Sequence, residues 1–300
     1  MLKRILVAIP IVVLVALAVF IQSWVLAIFV VILGVMCQYE VVRALDGNGK
    51  PVVKAVSYAF AIILAWLFLC SNHFVSDLGL EPLLTVQWVM MLFIACVMAT
   101  FIAAMFTKRH TAESILNTIL TLVYPQLIFA LFYLMLLDAH VNLHVYSNLR
   151  DMAVYYNIML LLFLVFLPAM FSDTFAYFFG MAFGKKKLCP SISPKKTVVG
   201  CVAGIVGGVL AGVLIWLVFE NMLTISGQKV LVGSLPNFII KGGVLAAISQ
   251  FGDLSASYLK RMVGIKDFGK LLPGHGGVVD RMDSILFCIP TLYILNFIIF

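Results

Sequence analysis

Four polar side chains stand at helical spacing near the end of an otherwise apolar chain. They are Gln250, Asp253, Ser257 and Lys260, at i, i+3, i+7 and i+10. On a helix they share one face, with Arg261 beside them. A carboxylate, a hydroxyl and two cations so arranged suit phosphate oxygens together with a metal ion. Ionisable groups at membrane depth are expensive and carry a functional expectation by default; the plainer reading is the polar end of a helix meeting water. Farther on come Pro273-Gly-His-Gly-Gly277 and Asp280-Arg-Met-Asp283. Glycines remove Cβ atoms, so the N–H groups of Gly276 and Gly277 can approach a ligand closely, and such turns cradle phosphate. Asp280 and Asp283 are oxygen donors suited to a hard cation such as Mg²⁺, and at i, i+3 they share a face if helical. A glycine turn alone is a weak signal. Flanked by basic residues and two carboxylates, it points to a metal–nucleotide phosphate site.

A second polar stretch lies upstream. Asp173, Tyr177, Gly180 and Gly184 fall at i, i+4, i+7 and i+11, one helical face, and the glycines let another helix or a substrate approach. Lys185-Lys-Lys187 and Ser191-Ile-Ser-Pro-Lys-Lys-Thr197 follow. The residue before Pro194 is pushed out of the α region, so the chain must turn before the next helix. Ser193, Lys195, Lys196 and Thr197 are therefore phosphate-binding candidates in a shaped loop. Lys185–Lys187 read instead as a basic juxtamembrane loop that sets topology.

The elements that position these residues follow from composition. Hydrophobic residues make up 64% of the 300 and charged residues 11%, against about 25% charged in a soluble domain. A soluble fold of this length cannot bury so much apolar surface, and lipid is its natural solvent. The first apolar run, Ile5 to Gln38, exceeds a signal-peptide core and reads as retained anchor. As one helix it would be about 51 Å long, too long for a hydrocarbon core of about 30 Å. The polar pair Gln22-Ser23 divides it into two helices. Further spans are expected near 56–74, 86–106, 115–137, 154–183, 198–219, 238–262 and 285–300, nine in all. With the N-terminus inside, 17 of the 20 Lys and Arg fall in inner segments, and only Arg150, Lys229 and Lys241 in outer ones. That asymmetry supports the count and places both polar stretches on the inner side. The net charge of +7 then belongs to inner loops, not to a nucleic-acid surface. The six scattered cysteines, without a CxxC pair, read as packing residues.

From Ser257 to Asp283 the chain resembles the signature of the phosphatidate cytidylyltransferase family, also called CDP-diacylglycerol synthase. The pattern is filled by Ser257, Lys260, Arg261, Lys266, Asp267, Gly269, Pro273, His275, Gly276, Gly277, Asp280, Arg281 and Asp283. Asp173-Thr-x-Ala-Tyr177 and Ser193-Pro-Lys-Lys-Thr197 also resemble the family; the first half resembles it only by topology. Where the family usually continues Trp-Glu-Gly, this chain has Val198-Val199-Gly200, so an acidic side chain is missing there.

The resemblance implies an all-α polytopic membrane enzyme. Residues 1–150 would be a scaffold of helices and 151–300 the catalytic region. The active site would face the cytoplasm at the inner membrane of a bacterium. It implies Mg²⁺-dependent transfer of CMP from CTP to phosphatidic acid, a second ion such as K⁺, and a homodimer among membrane lipids. Asp253 and Asp280 would hold metal, with Asp283 as a further ligand. Lys260, Arg261, Lys266 and Arg281 would bind phosphates. Ser257, Lys195 and Lys196 would hold either the lipid phosphate or the triphosphate, and Asp173 and Tyr177 would line the substrate site. His275 is a phosphate donor or a structural hydrogen-bonder. The competing readings are a cytidylyltransferase for ether-linked lipid phosphates, a polyprenol kinase, or a transporter. Charges gathered at inner helix ends, not at mid-membrane in several helices, weigh against the transporter.

Overall fold

The computed structural model describes residues 20–21, 23–76, 82–106, 111–141, 150–222, 224–225, 228–229, 233–269 and 276–298. In lipid each backbone N–H and C=O needs an internal partner, so the apolar runs become helices. They are α1 (Ser23–Asp46), α2 (Lys54–Ser76), α3 (Val86–Phe106), α4 (Ala112–Thr121), α5 (Ile128–Val141), α6 (Arg150–Phe183), α7 (Val198–Met222), α8 (Leu235–Val263) and α9 (Val279–Ile298). A kink at Leu122–Leu127, where Tyr124 before Pro125 has extended backbone (φ −120°, ψ 113°), joins α4 to α5 in one span, because proline disfavours the helical region for the residue before it and removes an N–H from the ladder.

Seven described helical stretches are long and apolar enough to cross a membrane, among them Trp24–Asp46, Ala112–Ala139, Tyr155–Phe183 and Val279–Ile298. Trp66, Met105 and Phe106 are 61%, 81% and 85% exposed, an arrangement suited to acyl chains and not to water. The chain is thus an all-α polytopic membrane protein. Of the nine expected spans, the first lies outside the described residues but for the helical pair 20–21. α8 is long enough at 29 residues, yet its polar face keeps it out of the seven. The last span begins at Val279 rather than 285, so Asp280 and Asp283 are helical and lie on adjacent turns.

The chain divides into two compact units, residues 1–142 with 260–282 and residues 143–259 with 283–300. In the first, α1 packs on α2, and α2 on α3 and α5. Phe60, Phe68, Phe129, Phe132 and Tyr133 are fully buried, and the rings of Phe68 and Tyr133 stack at 4.4 Å. Polar side chains tie these helices together where no water competes. Gln38 Nε2 donates to the Ser57 carbonyl at 3.1 Å. The Ser57 and Thr121 hydroxyls lie 2.7 Å apart.

In the second unit, α6 packs along α7. A Cβ on Gly207 would come within 2.9 Å of the Phe171 carbonyl oxygen, and one on Gly204 within 2.8 Å of Ser172 Oγ. Glycine here is what lets the two backbones approach. Between α6 and α7 the chain forms a two-stranded antiparallel ribbon, β1 (Lys187–Cys189) and β2 (Ser193–Thr197), with Lys187 opposite Thr197. The segment expected as a shaped loop is therefore a hairpin.

Candidate active site

In the second unit the site is built on α8. Gln250 is 5% exposed. Its Nε2 donates to Ser172 Oγ of α6 at 3.1 Å and to the Cys201 carbonyl of α7 at 3.0 Å. One amide thereby ties three helices together, and its role is structural. One turn on, Asp253 Oδ2 pairs with Lys196 Nζ from β2 at 2.8 Å. Lys196 also donates to the Gln250 carbonyl at 3.2 Å. The Ser257 hydroxyl reaches Asp253 Oδ1 at 3.5 Å, the long end of a hydrogen bond. Asp173 lies within electrostatic range of Asp253 and Lys196, and Ser284 hydrogen-bonds to it. Two carboxylates, two hydroxyls and an ammonium therefore gather in this unit, with Asp253 and Lys196 partly exposed.

The ribbon sets Lys196 because strand alternation sends successive side chains to opposite faces. Lys195 points out and is exposed, while Lys196 turns toward Asp253. Thr197 is 6% exposed. Its Oγ1 accepts the N–H of Gly200 at 3.2 Å, which makes it the N-cap of α7. The hydroxyl expected for phosphate is thus occupied as a cap. Cβ atoms on Gly180 and Gly200 would meet the Thr197 hydroxyl at 2.9 and 3.0 Å. Gly180, expected to admit a helix or a substrate, admits both the α7 backbone at Gly200 and this threonine. Ser193 is half-buried and Tyr177 exposed, its ring edge-on to Phe178. An apolar groove lined by Phe175, Phe179, Val199 and Val202 runs along the α6–α7 face next to β2. Asp283 is 8% exposed, and its Oδ1 accepts the N–H of Ser284 at 2.8 Å.

In the first unit, Lys260 Nζ meets Asp280 Oδ1 at 2.8 Å, with the two side chains 12% and 7% exposed. The other oxygen, Oδ2, accepts the N–H groups of Phe268 at 2.9 Å and Gly277 at 3.0 Å. The ammonium also sits 5.6 Å above the Phe268 ring. Gly264, at φ +76°, closes the end of α8 by donating to the Arg261 carbonyl. Gly276 also has positive φ, +83°, a conformation that suits glycine. Arg261, Lys266 and Arg281 are exposed. His275 lies outside the described residues. The amide of Gly277, expected for phosphate, is held by Asp280, and that of Val279 by Glu40 of α1 at 2.9 Å. Sequence reasoning missed Glu40. The signal for it was a lone carboxylate inside an apolar helix.

Among the described residues no three His, Cys, Asp or Glu side chains cluster as a ready-made metal cage. The donors present are carboxylate and hydroxyl oxygens beside ammonium groups. That set fits Mg²⁺, which is commonly bound by one or two carboxylates and completed by waters and substrate phosphates.

A model of the cytidylyltransferase family matches residues 2–299. Over 122 residues the chain is 39% identical to a phosphatidate cytidylyltransferase of Thermotoga maritima, covering 41% of this chain and 43% of that protein. It is 40% identical over 136 residues to one of Haemophilus influenzae, covering 45% of each. With one of Bacillus subtilis the identity is 41% over 124 residues, 41% of this chain and 42% of that protein. The matched stretch thus spans less than half the length of these relatives.

Proposed function

The chain belongs to the cytidylyltransferase family, and from that membership we propose that it transfers CMP from CTP to phosphatidic acid, giving CDP-diacylglycerol and pyrophosphate. A phosphate oxygen of phosphatidic acid attacks the α-phosphorus of CTP. The new O–P bond forms as the bond to the β-phosphate oxygen breaks, and pyrophosphate leaves with that electron pair. The nucleophile is already ionised, so no general base is required. What the reaction demands is charge neutralisation and alignment.

The observation that carries the reading is the pairing of lysine with carboxylate at two places, Lys260 with Asp280 inside the signature and Lys196 with Asp253 upstream of it, each at 2.8 Å. Each pair offers a cation for phosphate beside an anion for a divalent ion. Within the second unit Asp253 is assigned to Mg²⁺, with Asp173 and Asp283 as supporting carboxylates, and within the first unit Asp280 is assigned to a divalent ion. When bound, the ion would supply Lewis-acid polarisation of the phosphate oxygens. Lys196, Lys260, Arg261, Lys266 and Arg281 neutralise the phosphates, and Ser257 donates a hydrogen bond to one of them. The lipid tails stay in the bilayer, where the apolar groove beside β2 suits an acyl chain. Lys195 and Ser193, at the rim of the ribbon, suit the headgroup. We place the site on the cytoplasmic side of a bacterial inner membrane, where soluble CTP meets an insoluble partner. We further propose a homodimer and a second ion, K⁺ being one candidate.

The test is turnover of purified protein with phosphatidic acid, Mg²⁺ and CTP labelled at the α- or the γ-phosphate. Label from the α-phosphate in lipid, with stoichiometric pyrophosphate, is the expected result. Label from the γ-phosphate in lipid would make the protein a lipid kinase. Turnover with ether-linked lipid phosphate but not phosphatidic acid would redefine the acceptor.

A further inference from the structure

Glu40 is 4% exposed within an apolar helix, where an ionised side chain needs a partner or a task. Its Oε2 accepts the N–H of Val279, the first residue of α9, at 2.9 Å. The amides that open a helix have no intrahelical acceptor and favour negative charge; here the acceptor comes from the opposite end of the chain. Its Oε1 is buried with no hydrogen-bond partner among the described residues. The surrounding glycines explain how it fits. A Cβ on Gly269 would strike Oε1 and come within 2.6 Å of Cδ, and the three nearest atoms there all belong to Glu40. A Cβ on Gly277 would strike Oε2.

Glu40 and Asp280 thus share one turn. Asp280 holds the amides of Phe268 and Gly277, and Glu40 holds that of Val279. We propose that Glu40 is a positioning residue for CMP transfer. Its carboxylate is the template around which Gly269 and Gly277–Val279 fold, and that fold holds Asp280 against Lys260. Gly269 and Gly277 accommodate the protein's own glutamate; a phosphate cradle is not needed to account for these two. The assignment rests on the cytidylyl-transfer reading for its catalytic consequence, and on the turn alone for its structural one.

Single and double variants at Glu40 and Gly269 test it in purified protein, with CTP turnover and hydrogen exchange of the segment 276–282 as independent readouts. Displacing a catalytic group by about 1 Å can cost about 100-fold. Glu40→Ala should therefore lower kcat about 30- to 100-fold while KM for CTP changes by about threefold or less, since alignment is lost rather than ground-state binding. Glu40→Gln keeps an acceptor for the Val279 N–H and should recover kcat to within about fivefold of the parent. Gly269→Ala should lose as much as Glu40→Ala, and the double variant no more than either, because both remove the same fit. Exchange at 276–282 should rise about tenfold or more in Glu40→Ala, with exchange in α3 unchanged.

The proposal is overturned by a Glu40→Ala kcat within threefold of the parent. It is equally overturned if the Gly269 and Glu40 losses multiply, or if exchange at 276–282 is unaltered. If Glu40→Ala is not recovered folded, Glu40→Gln and Gly269→Ala decide the matter by the same comparisons. If the parent protein transfers no CMP, the functional reading fails. The exchange result and the coupling of Gly269→Ala with Glu40→Gln in thermal midpoint then decide the role of Glu40 on their own.

Discussion

Asp280→Asn and Lys260→Met, made singly and together, separate what this ion pair does for the fold from what it does for the reaction. The two side chains are 2.8 Å apart and only 7% and 12% exposed. Removing one partner strands the other charge, and for a buried pair that costs about 3–5 kcal/mol. Asp280→Asn also exchanges one of the two accepting oxygens for an NH2 donor, which would face either the Lys260 ammonium or the Phe268 and Gly277 N–H groups that Oδ2 accepts. At about 2 °C per kcal/mol for a chain of this size, each single variant should melt roughly 6–10 °C below the parent. Replacing both charges removes the stranded group, so the double variant should regain most of the lost midpoint.

Activity should not follow stability. Both groups are assigned to binding phosphate and metal, so each single variant should lose turnover by about 100-fold or more, and the double should remain as inactive. The assays are thermal unfolding in detergent followed by fluorescence, and pyrophosphate release below the lowest midpoint. Recovery of turnover along with stability in the double variant would refute the catalytic assignment. Single variants melting within about 2 °C of the parent would refute the burial argument.

Asp253→Asn should lower turnover by about 100-fold or more, the scale of losing one pre-organised charge contact, while the protein still inserts and purifies as the parent does; near-normal turnover would remove Asp253 from the metal site. Thr197→Val keeps the packing against Gly180 and Gly200 but removes the cap. It should cost about 1 kcal/mol, read as a midpoint lower by about 2 °C, and leave more activity than Lys196→Ala does. Lys185→Ala should stay within about threefold of parental turnover, because its solvated side chain is assigned to topology; a loss as deep as that of Asp253→Asn would show that this cluster binds substrate. Removing divalent cations with a chelator should abolish turnover, and Mg²⁺ should restore it; turnover that persists in the chelator would exclude the assigned ion.

The helices and the family were both legible in the residues. A run of about 20 apolar side chains has one stable form in lipid, the helix, because its hydrogen bonds close within four residues. That locality is why the expected bounds of α2, α3, α6, α7 and α8 lie within a few residues of the observed ones. Spacing on a helix is local too, so Asp253, Ser257 and Lys260 could be placed on one face before any fold was known. Partner choice was not legible, since it joins residues far apart in sequence. Nothing near Thr197 announced that its hydroxyl would cap α7 and fill the space left by Gly180. Nothing near Gln250 announced that its amide would bind two other helices. Glu40 and Val279 stand 239 positions apart. Sequence thus determined which segments are helical and which residue types could meet a phosphate and a metal. Only the tertiary structure decided which of those groups are already held by the protein, because a hydrogen bond depends on distances of about 3 Å that no local periodicity encodes.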